Sequence, residues 1–439
     1  MNTRLLIAKT LKEWELEECP IHILMQRNVL KLDSQDEIKL YKKIVFGVIE
    51  NKNILDEYIL SLTNRKQTKL HIVVKIILRM SAYQKYFLSE IPDYAIANES
   101  VKIAKKMTHK GNVGFINAVI RKMLITPLEI NRNDLESVEE LSNAYDYPKW
   151  MINNWILDYG IDTTKKILKQ FSKPSHLFLR CNSNKIKRED LILLLKDEGI
   201  DARAAELYEQ AIICKKIGKT FLNKYFEKGY FSVQDISSML VASIVELKKD
   251  DVFVDMCCAP GGKLSHIAEK FRFNQLYGYD LTKEKIEKVK NQINRLELYN
   301  IKLNVLDSRK LNDCWDENVD FILLDAPCSG TGVIGRKPDI KRFRKESDIN
   351  NLVKIQLELL ETAYKCLKKG GFLLYSTCSI EKVENEIQFK LFLDRHKDME
   401  PVSIKEIELE ARSLKEGFIQ ILPHHYDTDG FFISLCRKK

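Results

Sequence analysis

Hydrophobic residues recur at two different periods along the chain, and the change of period separates its first third from its last. From Arg4 to about Leu124, apolar positions return every three or four residues, as in the stretches 37–49 and 70–80. This spacing lines up an apolar face on an α-helix, so it predicts helices throughout this part. The predicted breaks between helices fall at Pro20, Asp33-Ser34, Asn64, Pro92 and His109-Lys-Gly-Asn. We therefore predict an all-helical domain of several medium-length helices over residues 1–130.

The pattern over residues 134–245 mixes the periods of helix and strand. Residues 147–155 resemble a capped helix, residues 177–182 a strand, and residues 187–198 an amphipathic helix. We predict a small α+β module here, with residues 127–133 as the linker that precedes it.

From residue 250 onward, short apolar runs alternate with amphipathic helical stretches such as 283–297 and 350–367. The runs lie at 252–255, 276–280, 303–307, 321–325 and 372–375. This alternation predicts an α/β fold over residues 246–439, with a doubly wound, Rossmann-like sheet of parallel strands. Four of the five runs end in Asp. Carboxylates should therefore gather at the carboxyl edge of the sheet, where such folds bind ligands.

Length and composition fit a folded protein of several domains. The chain has 439 residues, of which 45% are hydrophobic, and this suffices for sizeable cores. We see neither a signal peptide nor a membrane-spanning stretch, and expect a cytoplasmic protein with no membrane partner. The ten cysteines should then be reduced, and because no Cys-x-x-Cys pair occurs we expect no metal site. We also expect a monomer, since the predicted domains suffice without a partner.

The net charge of +9 is concentrated near the start of the chain. Residues 1–130 carry 21 Lys and Arg against 14 Asp and Glu, whereas the remaining residues carry 50 against 48. A basic segment beside a balanced body favours an anionic partner, most simply nucleic acid. Lysine-rich helix faces that only contact solvent give the same composition, so charge alone leaves both readings open.

Two cysteines stand next to turn residues directly after predicted strands. Cys328 lies in Asp-Ala-Pro-Cys-Ser-Gly, three residues after Asp325, and Cys378 lies in Ser-Thr-Cys-Ser. A cysteine is commonly a small buried apolar residue. Two of them at the ligand-binding edge of a parallel sheet, with an acid nearby, instead indicate a nucleophile.

The first strand of the sheet leads into a glycine-containing loop, which runs from Cys257 to Lys263 and opens a helix near Ser265. Glycines at such a turn let backbone N–H groups approach an anionic or polar ligand. A Walker loop would need glycine at position 257 and Ser or Thr at position 264, and the Gly-x-Gly-x-x-Gly pattern is also absent. The loop is therefore not expected to hold a triphosphate.

Two further acids follow the next strands in the sequence. Asp280 ends the second run, where an acid commonly accepts hydrogen bonds from ribose hydroxyls, and Asp307 ends the third run, within reach of an adenine amine. A single strand-end Asp is often only a helix cap or turn residue, so the set carries the argument. An acid placed to bind ribose, a glycine-containing turn and the absence of a phosphate-binding motif together indicate S-adenosylmethionine as the cofactor.

Several of these segments resemble known families. Cys-Cys-Ala-Pro-Gly-Gly-Lys at 257–263, Asp-Ala-Pro-Cys-Ser-Gly-Thr-Gly at 325–332 and Ser-Thr-Cys-Ser-Ile at 376–380 are similar to motifs of RNA 5-methylcytosine methyltransferases. The helical part resembles the antitermination factor NusB, notably over 98–104 and 114–121. The order of these segments resembles that of the bacterial enzymes of this family that modify small-subunit ribosomal RNA.

The resemblance implies a mechanism and roles for individual residues. Cys378 would be the nucleophile that attacks carbon 6 of cytosine, and Asp325 would hydrogen-bond the base near ring nitrogen 3. Cys328 would assist release of the product, and Lys263 would position substrate or stabilise a thiolate.

The resemblance also implies ligands and partners. The cofactor residues would be Cys257, Cys258, Ala259, Pro260, Gly261, Gly262, Lys263, Asp280, Asp307 and Asp325. Basic residues placed to hold RNA phosphates are Arg336, Lys337, Lys341, Arg342 and Arg344. The expected partner is 16S ribosomal RNA in an unassembled or partly assembled small subunit. A transfer RNA cytosine methyltransferase and a non-catalytic RNA-binding assembly factor are the alternatives.

Overall fold

The structure is a computed structural model and describes residues 2–17, 19–63, 70–130, 135–214, 224–404 and 416–439. These residues form two compact units, Met1–Lys165 with Lys337–Phe343, and Lys166–Arg336 with Arg344–Lys439. Asn64, predicted as a helix break, and residues 131–133 of the predicted linker lie outside the described residues. Within the described ranges, no helix is both long enough and apolar enough to cross a membrane.

The first unit is helical, as predicted. Its helices are α1 (Thr3–Glu17), α2 (Ile21–Val29), α3 (Gln35–Glu50), α4 (Lys52–Leu62), α5 (Ile72–Phe87), α6 (Asp93–Met107), α7 (Lys110–Met123), α8 (Val138–Tyr145) and α9 (Lys149–Tyr159), and α10 (Ile161–Phe171) begins in it. Helix α3 shows why the sequence folds this way. Its N-cap Ser34 accepts from the Glu37 backbone N–H, and the Glu37 side chain accepts from Ser34 in return. Tyr41, Ile44 and Val48 then face the core at helical spacing.

A short segment of the later chain also belongs to the first unit. Lys337–Phe343 clusters with it, and this segment contains the short helix α17 (Ile340–Phe343). The Phe343 ring packs against Trp14 of α1, with ring centroids 5.4 Å apart. The first unit is therefore built from two separate stretches of sequence.

The second unit contains the predicted α+β module as a four-stranded antiparallel sheet. Its strands are β1 (Leu177–Cys181), β2 (Ala202–Ala204), β3 (Ala211–Cys214) and β4 (Phe231–Val233), in the order β2-β3-β1-β4. Helix α11 (Arg188–Asp197) packs on it through Leu191 and Leu195, which join Leu179 and Ile212 in one core. The short α12 (Lys224–Glu227) precedes β4, and α13 (Ile236–Ile244) leads to the next domain. The strand and helix predicted at 177–182 and 187–198 are confirmed.

The rest of the second unit is an eight-stranded sheet with helices. Its strands are β5 (Phe253–Asp255), β6 (Leu276–Asp280), β7 (Ile301–Val305), β8 (Val319–Asp325), β9 (Leu367–Thr377), β10 (Met399–Pro401), β11 (Phe418–Ile421) and β12 (Phe431–Lys438). The helices are α14 (Gly262–Lys270), α15 (Lys283–Leu296), α16 (Asn312–Trp315), α18 (Glu346–Cys366) and α19 (Glu386–Arg395). The strand order is β10-β12-β9-β8-β5-β6-β7, with β11 paired to β12.

The sheet is mixed rather than wholly parallel. Strands β9, β8, β5, β6 and β7 are parallel neighbours, as predicted, whereas β10, β11 and β12 pair antiparallel. No crossover helix connects β11 to β12, and antiparallel pairing is what a short direct connection allows. The Rossmann-like core is confirmed, and the three added strands were not predicted.

Two predicted element boundaries are wrong. The third apolar run was expected to end at Asp307, but β7 ends at Val305. Helix α14 was expected to begin near Ser265, but it begins at Gly262, so the glycine turn is its first turn. The ranges predicted for the three domains stay predictions.

Candidate active site

Two strands of the large sheet bring the two predicted cysteines together. β8 and β9 run parallel, and Asp325 at the end of β8 lies opposite Ser376 near the end of β9. Both strands are largely buried, so the turns that follow them start side by side. Cys328 and Cys378 lie on these turns, with their Sγ atoms 3.4 Å apart. The predicted nucleophile and the predicted release residue are therefore in contact.

An ion pair lies next to the two thiols. The Lys263 Nζ donates to Asp325 Oδ2 at 2.7 Å, and the Ser376 hydroxyl donates to Asp325 Oδ1 at 3.0 Å. Burial alone would lower the pKa of Lys263, but the charges of Asp325 and Cys378 outweigh burial and raise it. Lys263 therefore stays a cation, and it is not the solvent-exposed lysine that its place on a first helical turn would allow.

The contact between the cysteines changes the acidity of one of them. The contact with Cys378 and then burial raise the pKa of Cys328 well above its ordinary value. Glu384 and Asp325 add negative charge and act in the same direction. The Cys328 thiol therefore keeps its proton at neutral pH.

A cavity of about 240 Å³ opens beside these groups. Seven residues predicted to bind the cofactor line it, namely Cys257, Cys258, Ala259, Pro260, Gly262, Lys263 and Asp325. Cys378 lines it as well, whereas Gly261, Asp280 and Asp307 are not part of its wall. The structure thus joins the predicted cofactor loop and the predicted nucleophile in one cavity.

The glycines of the loop have different functions. Gly261 has a φ of +104°, where a side chain would be strained, and an added Cβ would lie 3.2 Å from a methyl carbon of Val289. Gly262 lines the cavity, and a Cβ placed there would meet no atom within 4 Å. Gly261 thus shapes the turn, and Gly262 leaves the cavity open.

Carboxylates at two strand ends hold the loop by its backbone. Asp255 Oδ1 accepts from the Cys257 N–H at 3.1 Å, and Asp280 Oδ2 accepts from the Ala259 N–H at 3.0 Å. The other oxygen of Asp280 accepts from Lys285 Nζ at 2.8 Å. Asp280 therefore lies under the loop, close to where a ribose acid was predicted, but behind the cavity wall.

Asp307 lies apart from the cavity. It caps a single 3₁₀ turn at residues 308–310 and pairs with the Arg309 guanidinium at 2.7 Å. This hydrogen bond lowers the pKa of Asp307. The expected contact of Asp307 with an adenine amine stays a prediction that this geometry does not favour, because the carboxylate is paired with Arg309 and is not part of the cavity wall.

The polar groups of the cavity suit S-adenosylmethionine, which carries sulfonium and ammonium cations and no phosphate. Asp255 and Asp325 supply carboxylates in the wall, and the open position at Gly262 leaves room beside the start of α14. Burial and the neighbouring Asp325 raise the pKa of Asp255 well above its ordinary value. A cationic ligand in the cavity would lower this pKa and favour the ionised carboxylate.

Sequence reasoning missed a buried arginine below the loop. Arg180 of β1 is fully buried and donates to the Gly262 carbonyl at 2.8 Å and to Glu269 Oε1 at 2.9 Å. It also hydrogen-bonds Gln234, which lines the cavity. The antiparallel module therefore supports the first turn of α14. The signal in the sequence is a single arginine inside the apolar strand Leu-Phe-Leu-Arg-Cys.

A second missed group lies on another side of the cavity. Asp235 and Asp429 both line it, and Arg336 pairs with each of them, at 2.7 Å to Asp429. Asp235 also caps α13 by accepting from the Ser237 N–H at 3.0 Å. Arg336 is thus neutralised by two carboxylates and does not present an unpaired charge to RNA phosphates, contrary to prediction.

Other basic residues predicted to hold RNA phosphates are also engaged within the protein. Lys341 is buried, and its Nζ donates to the carbonyls of Glu50 at 2.9 Å and Tyr145 at 3.3 Å. Arg342 forms an ion pair with the buried Asp146. The prediction is therefore wrong for Lys341 and Arg342, because desolvated backbone carbonyls and a buried acid take up their donors. Arg344 donates to the Ser329 carbonyl at 3.2 Å, and Lys337 is exposed.

The described parts of the chain were also expected to hold no metal site. No group of three or more His, Cys, Asp or Glu side chains there is arranged to hold a metal ion.

Three family models match successive parts of the chain. The model described as 16S rRNA methyltransferase RsmB/F matches residues 242–437, and the NusB family model matches residues 1–124. A model for the ferredoxin-like domain of RsmF/B-like methyltransferases matches residues 147–219. Together they cover the helical unit, the antiparallel module and the large sheet.

Whole-chain relatives agree with these matches. A Bacillus subtilis protein named probable ribosomal RNA small subunit methyltransferase B is 36% identical over 95% of this chain and 94% of its own length. A Yersinia enterocolitica ribosomal RNA small subunit methyltransferase B is 31% identical over 92% of each chain.

Solved structures resemble the whole chain or its larger part. The crystal structure of PH0851 covers 100% of this chain and 99% of its own, at 25% identity and a TM-score of 0.84. NSun6 from Pyrococcus horikoshii, determined with the S-adenosylmethionine analogue SFG, covers 66% of this chain and 98% of its own, at 26% identity and a TM-score of 0.61.

Proposed function

The chain belongs to the 16S rRNA methyltransferase RsmB/F family, and from this premise we propose that it methylates carbon 5 of one cytosine in 16S ribosomal RNA through a covalent cysteine adduct. Methylation of small-subunit ribosomal RNA follows from the family, as does S-adenosylmethionine as its cofactor. The cytosine chemistry and the residue roles are the proposal. The observation that supports them best is the 3.4 Å contact between the Cys328 and Cys378 thiols beside the Lys263–Asp325 ion pair.

The chemistry explains why a nucleophilic cysteine is needed. Carbon 5 of cytosine is a poor nucleophile, and a bond from the Cys378 sulfur to carbon 6 moves electron density onto carbon 5. S-adenosylmethionine supplies the methyl group that carbon 5 then binds. To complete the reaction, the proton on carbon 5 must leave, and its electron pair restores the carbon 5–carbon 6 double bond as the sulfur–carbon bond breaks.

Asp325 and Lys263 support the first step. In this proposal, the Asp325 carboxylate accepts a hydrogen bond from ring nitrogen 3 once that nitrogen is protonated, and so favours its protonation as the adduct forms. Lys263 fixes this carboxylate and provides a positive charge close to Cys378, which favours a thiolate.

Cys328 acts in the second step. In the resting protein, the contact with Cys378 is the largest cause of its raised pKa. Once Cys378 is bonded to carbon 6, it is a thioether without a thiolate charge, so its charge no longer adds to the raised pKa of Cys328. Cys328 then loses its proton more easily and assists removal of the carbon 5 proton, directly or through water.

Substrate access sets a further condition. A base stacked in a helix does not expose carbon 6, so the target cytosine must be unpaired or flipped out of its stack. We assign selection of the RNA to the predicted helical domain, 1–130, and the predicted module, 134–245. An unassembled or partly assembled small subunit, acted on by a monomer, is the substrate form we propose.

The first experiment tests the nucleophile. With S-adenosylmethionine present, RNA with 5-fluorocytosine at the target traps the adduct after methyl transfer, because carbon 5 then carries fluorine and has no proton to lose. We expect a protein–RNA complex that survives denaturing electrophoresis with the wild type and none with Cys378→Ala. Cys314→Ala is the matched control, because Cys314 is exposed and lies outside the cavity wall. A complex that persists in Cys378→Ala would refute the assignment.

The second experiment tests the release residue. Cys328→Ala should accumulate a covalent complex with unmodified RNA, because the adduct forms and resolves slowly. If no gel-stable complex appears, Cys328 has no part in release.

The third experiment tests the RNA target. Methyl transfer from radiolabelled S-adenosylmethionine is measured separately on unmodified small-subunit ribosomal RNA and on transfer RNA, and labelled RNA is sequenced after bisulfite treatment. Label at one cytosine of the ribosomal RNA is expected. Label in transfer RNA alone would keep the chemistry and reject the target.

A further inference from the structure

A buried carboxylate lies where the two cysteine turns meet. Glu384 lies just before α19, and its side chain is fully buried. Its Oε1 accepts from the Ser329 backbone N–H at 2.9 Å and from Gln356 Nε2 at 3.0 Å. Its Oε2 accepts from the hydroxyls of Ser329 at 2.5 Å and Ser379 at 2.6 Å. Four donors therefore converge on one carboxylate.

These donors are the chain neighbours of the two thiols. Ser329 directly follows Cys328, and Ser379 directly follows Cys378. Glu384 thus binds the residue after each cysteine, one through two contacts and the other through its hydroxyl. The two serine hydroxyls also lie 3.1 Å apart, so the turns touch at this point.

Further contacts make the position of the carboxylate rigid. Gln356 of α18 also donates to the Pro327 carbonyl at 2.9 Å, so both neighbours of Cys328 are held. The Tyr375 hydroxyl of β9 donates to the Glu384 carbonyl at 2.5 Å. A buried carboxylate is less well compensated when it loses a donor, so the four hydrogen bonds to the Glu384 side chain oppose movement of either turn.

We propose that Glu384 is a positioning residue that sets the separation of the Cys328 and Cys378 sulfur atoms. The effect of Glu384 on catalysis rests on the proposed function of these two cysteines. Its effect on the distance between the sulfur atoms, the geometric part of the inference, does not. Glu384 touches no reacting atom and acts through Ser329 and Ser379. While Glu384 keeps its hydrogen bonds to Ser329 and Ser379, the two thiols stay in contact as the adduct forms and resolves.

The geometric part is tested on the full-length protein without RNA or cofactor. Diamide, an azo compound, takes up two hydrogens from a thiol pair, so that a sulfur–sulfur bond forms and diamide becomes a hydrazine. Because a disulfide requires a narrow range of sulfur positions, the initial rate of Cys328–Cys378 bond formation falls when the sulfur atoms are misplaced. Loss of the Glu384 charge would lower the pKa of Cys328 and by itself speed the reaction, so a slower reaction reports a change in their separation. Mass spectrometry of the cross-linked peptides measures that rate.

Three variants are compared with the wild type. Glu384→Ala removes the acceptor for all four donors, and we expect diamide to join the cysteines about tenfold more slowly. Glu384→Gln keeps an oxygen for the Ser329 N–H and turns an amide N–H₂ towards hydroxyls that can also accept, so it should recover most of the rate. Glu386→Ala is the matched control, since Glu386 pairs with Lys390 on the surface of α19.

The catalytic part uses the trapped adduct. At saturating 5-fluorocytosine RNA and S-adenosylmethionine, Glu384→Ala should form the trapped Cys378 adduct about 100-fold more slowly, as expected when reacting groups lose their alignment. Its affinity for sinefungin, an S-adenosylmethionine analogue, should stay within about twofold of wild type, because Glu384 does not line the cavity. A residue needed only for folding would lower this affinity as well.

The outcomes separate the two proposals. If wild-type protein forms no adduct but Glu384→Ala slows the diamide reaction, the covalent mechanism fails and the geometric part stands. If Glu384→Ala matches wild type in both assays, the positioning role is overturned. If Glu384→Ala does not fold, Ser379→Ala replaces it, and an unchanged diamide rate in that variant also overturns the proposal.

Discussion

Replacement of Arg180 by methionine should destabilise the second unit strongly and in a pH-dependent way. The Arg180 side chain is fully buried, and that of Glu269, its ion-pair partner, is 5% exposed. Arg180→Met keeps a long apolar stem but leaves the Glu269 carboxylate without this partner. Loss of one member of a buried ion pair typically costs about 3–5 kcal/mol, from a total stability of about 5–15 kcal/mol for a typical domain.

The pH dependence follows from the pKa of Glu269. Burial raises this pKa, and the charge and hydrogen bond of Arg180 lower it, so in the variant it rises further. A carboxyl group with a raised folded-state pKa binds protons more readily in the folded protein than in the unfolded chain. Stability then falls as the pH rises from the ordinary glutamate value towards the raised folded value. The difference between wild type and variant should be largest near pH 8 and smallest near pH 5.

Urea unfolding and local hydrogen exchange of α14 amides measure this difference at the two pH values. Adding Glu269→Leu to the variant removes the buried charge and should restore most of the lost stability. Sinefungin affinity should remain reduced in the double variant, because the Gly262 carbonyl still lacks its donor. An equal loss at both pH values, or a double variant as unstable as the single one, would contradict the reasoning.

Two other substitutions test the loop and the turns. Asp280→Ala removes the acceptor of a loop N–H and should weaken sinefungin binding about tenfold, measured by calorimetry, whereas Asp307→Ala should change it less than about twofold. Gly332→Ala would place a Cβ 2.1 Å from the Gly430 carbonyl oxygen, so the cysteine turn must move and adduct formation should fall about 100-fold. Gly114→Ala, which meets no atom within 4 Å, is its control, and equal adduct rates in the two glycine variants would refute the steric argument.

The parts of the site that could be predicted from sequence are those with local signals. Buried parallel strands appear as apolar runs, and the residues that end them reach the ligand edge, so Asp325 and Cys378 could be placed without coordinates. Asp307 shows the limit of this rule. The strand before it lies at the end of the parallel set, most of its residues are partly or fully exposed, and its last residue cannot be read from an apolar run.

The residues that were missed are buried charges with distant partners. Glu384 is 55 residues from Ser329, and Arg180 is 89 residues from Glu269. Locally each looks like an ordinary polar residue, and only the strand order brings the partners together. The antiparallel strands β10, β11 and β12 were missed for a related reason, because β10 and β11 are short and β12 pairs with β9, which lies far earlier in the chain.

The segment Lys337–Phe343 has a consequence for synthesis of the protein on the ribosome. Residues 1–165 emerge long before this segment, yet the Lys341 ammonium that binds the Glu50 and Tyr145 carbonyls comes with it. The buried Asp146 likewise gains its ion-pair partner, Arg342, only when this segment has been synthesised. The first unit is therefore completed only after more than half of the second unit has been translated, and a fragment cut at Lys165 would lack Lys341 and the ion-pair partner of its buried Asp146.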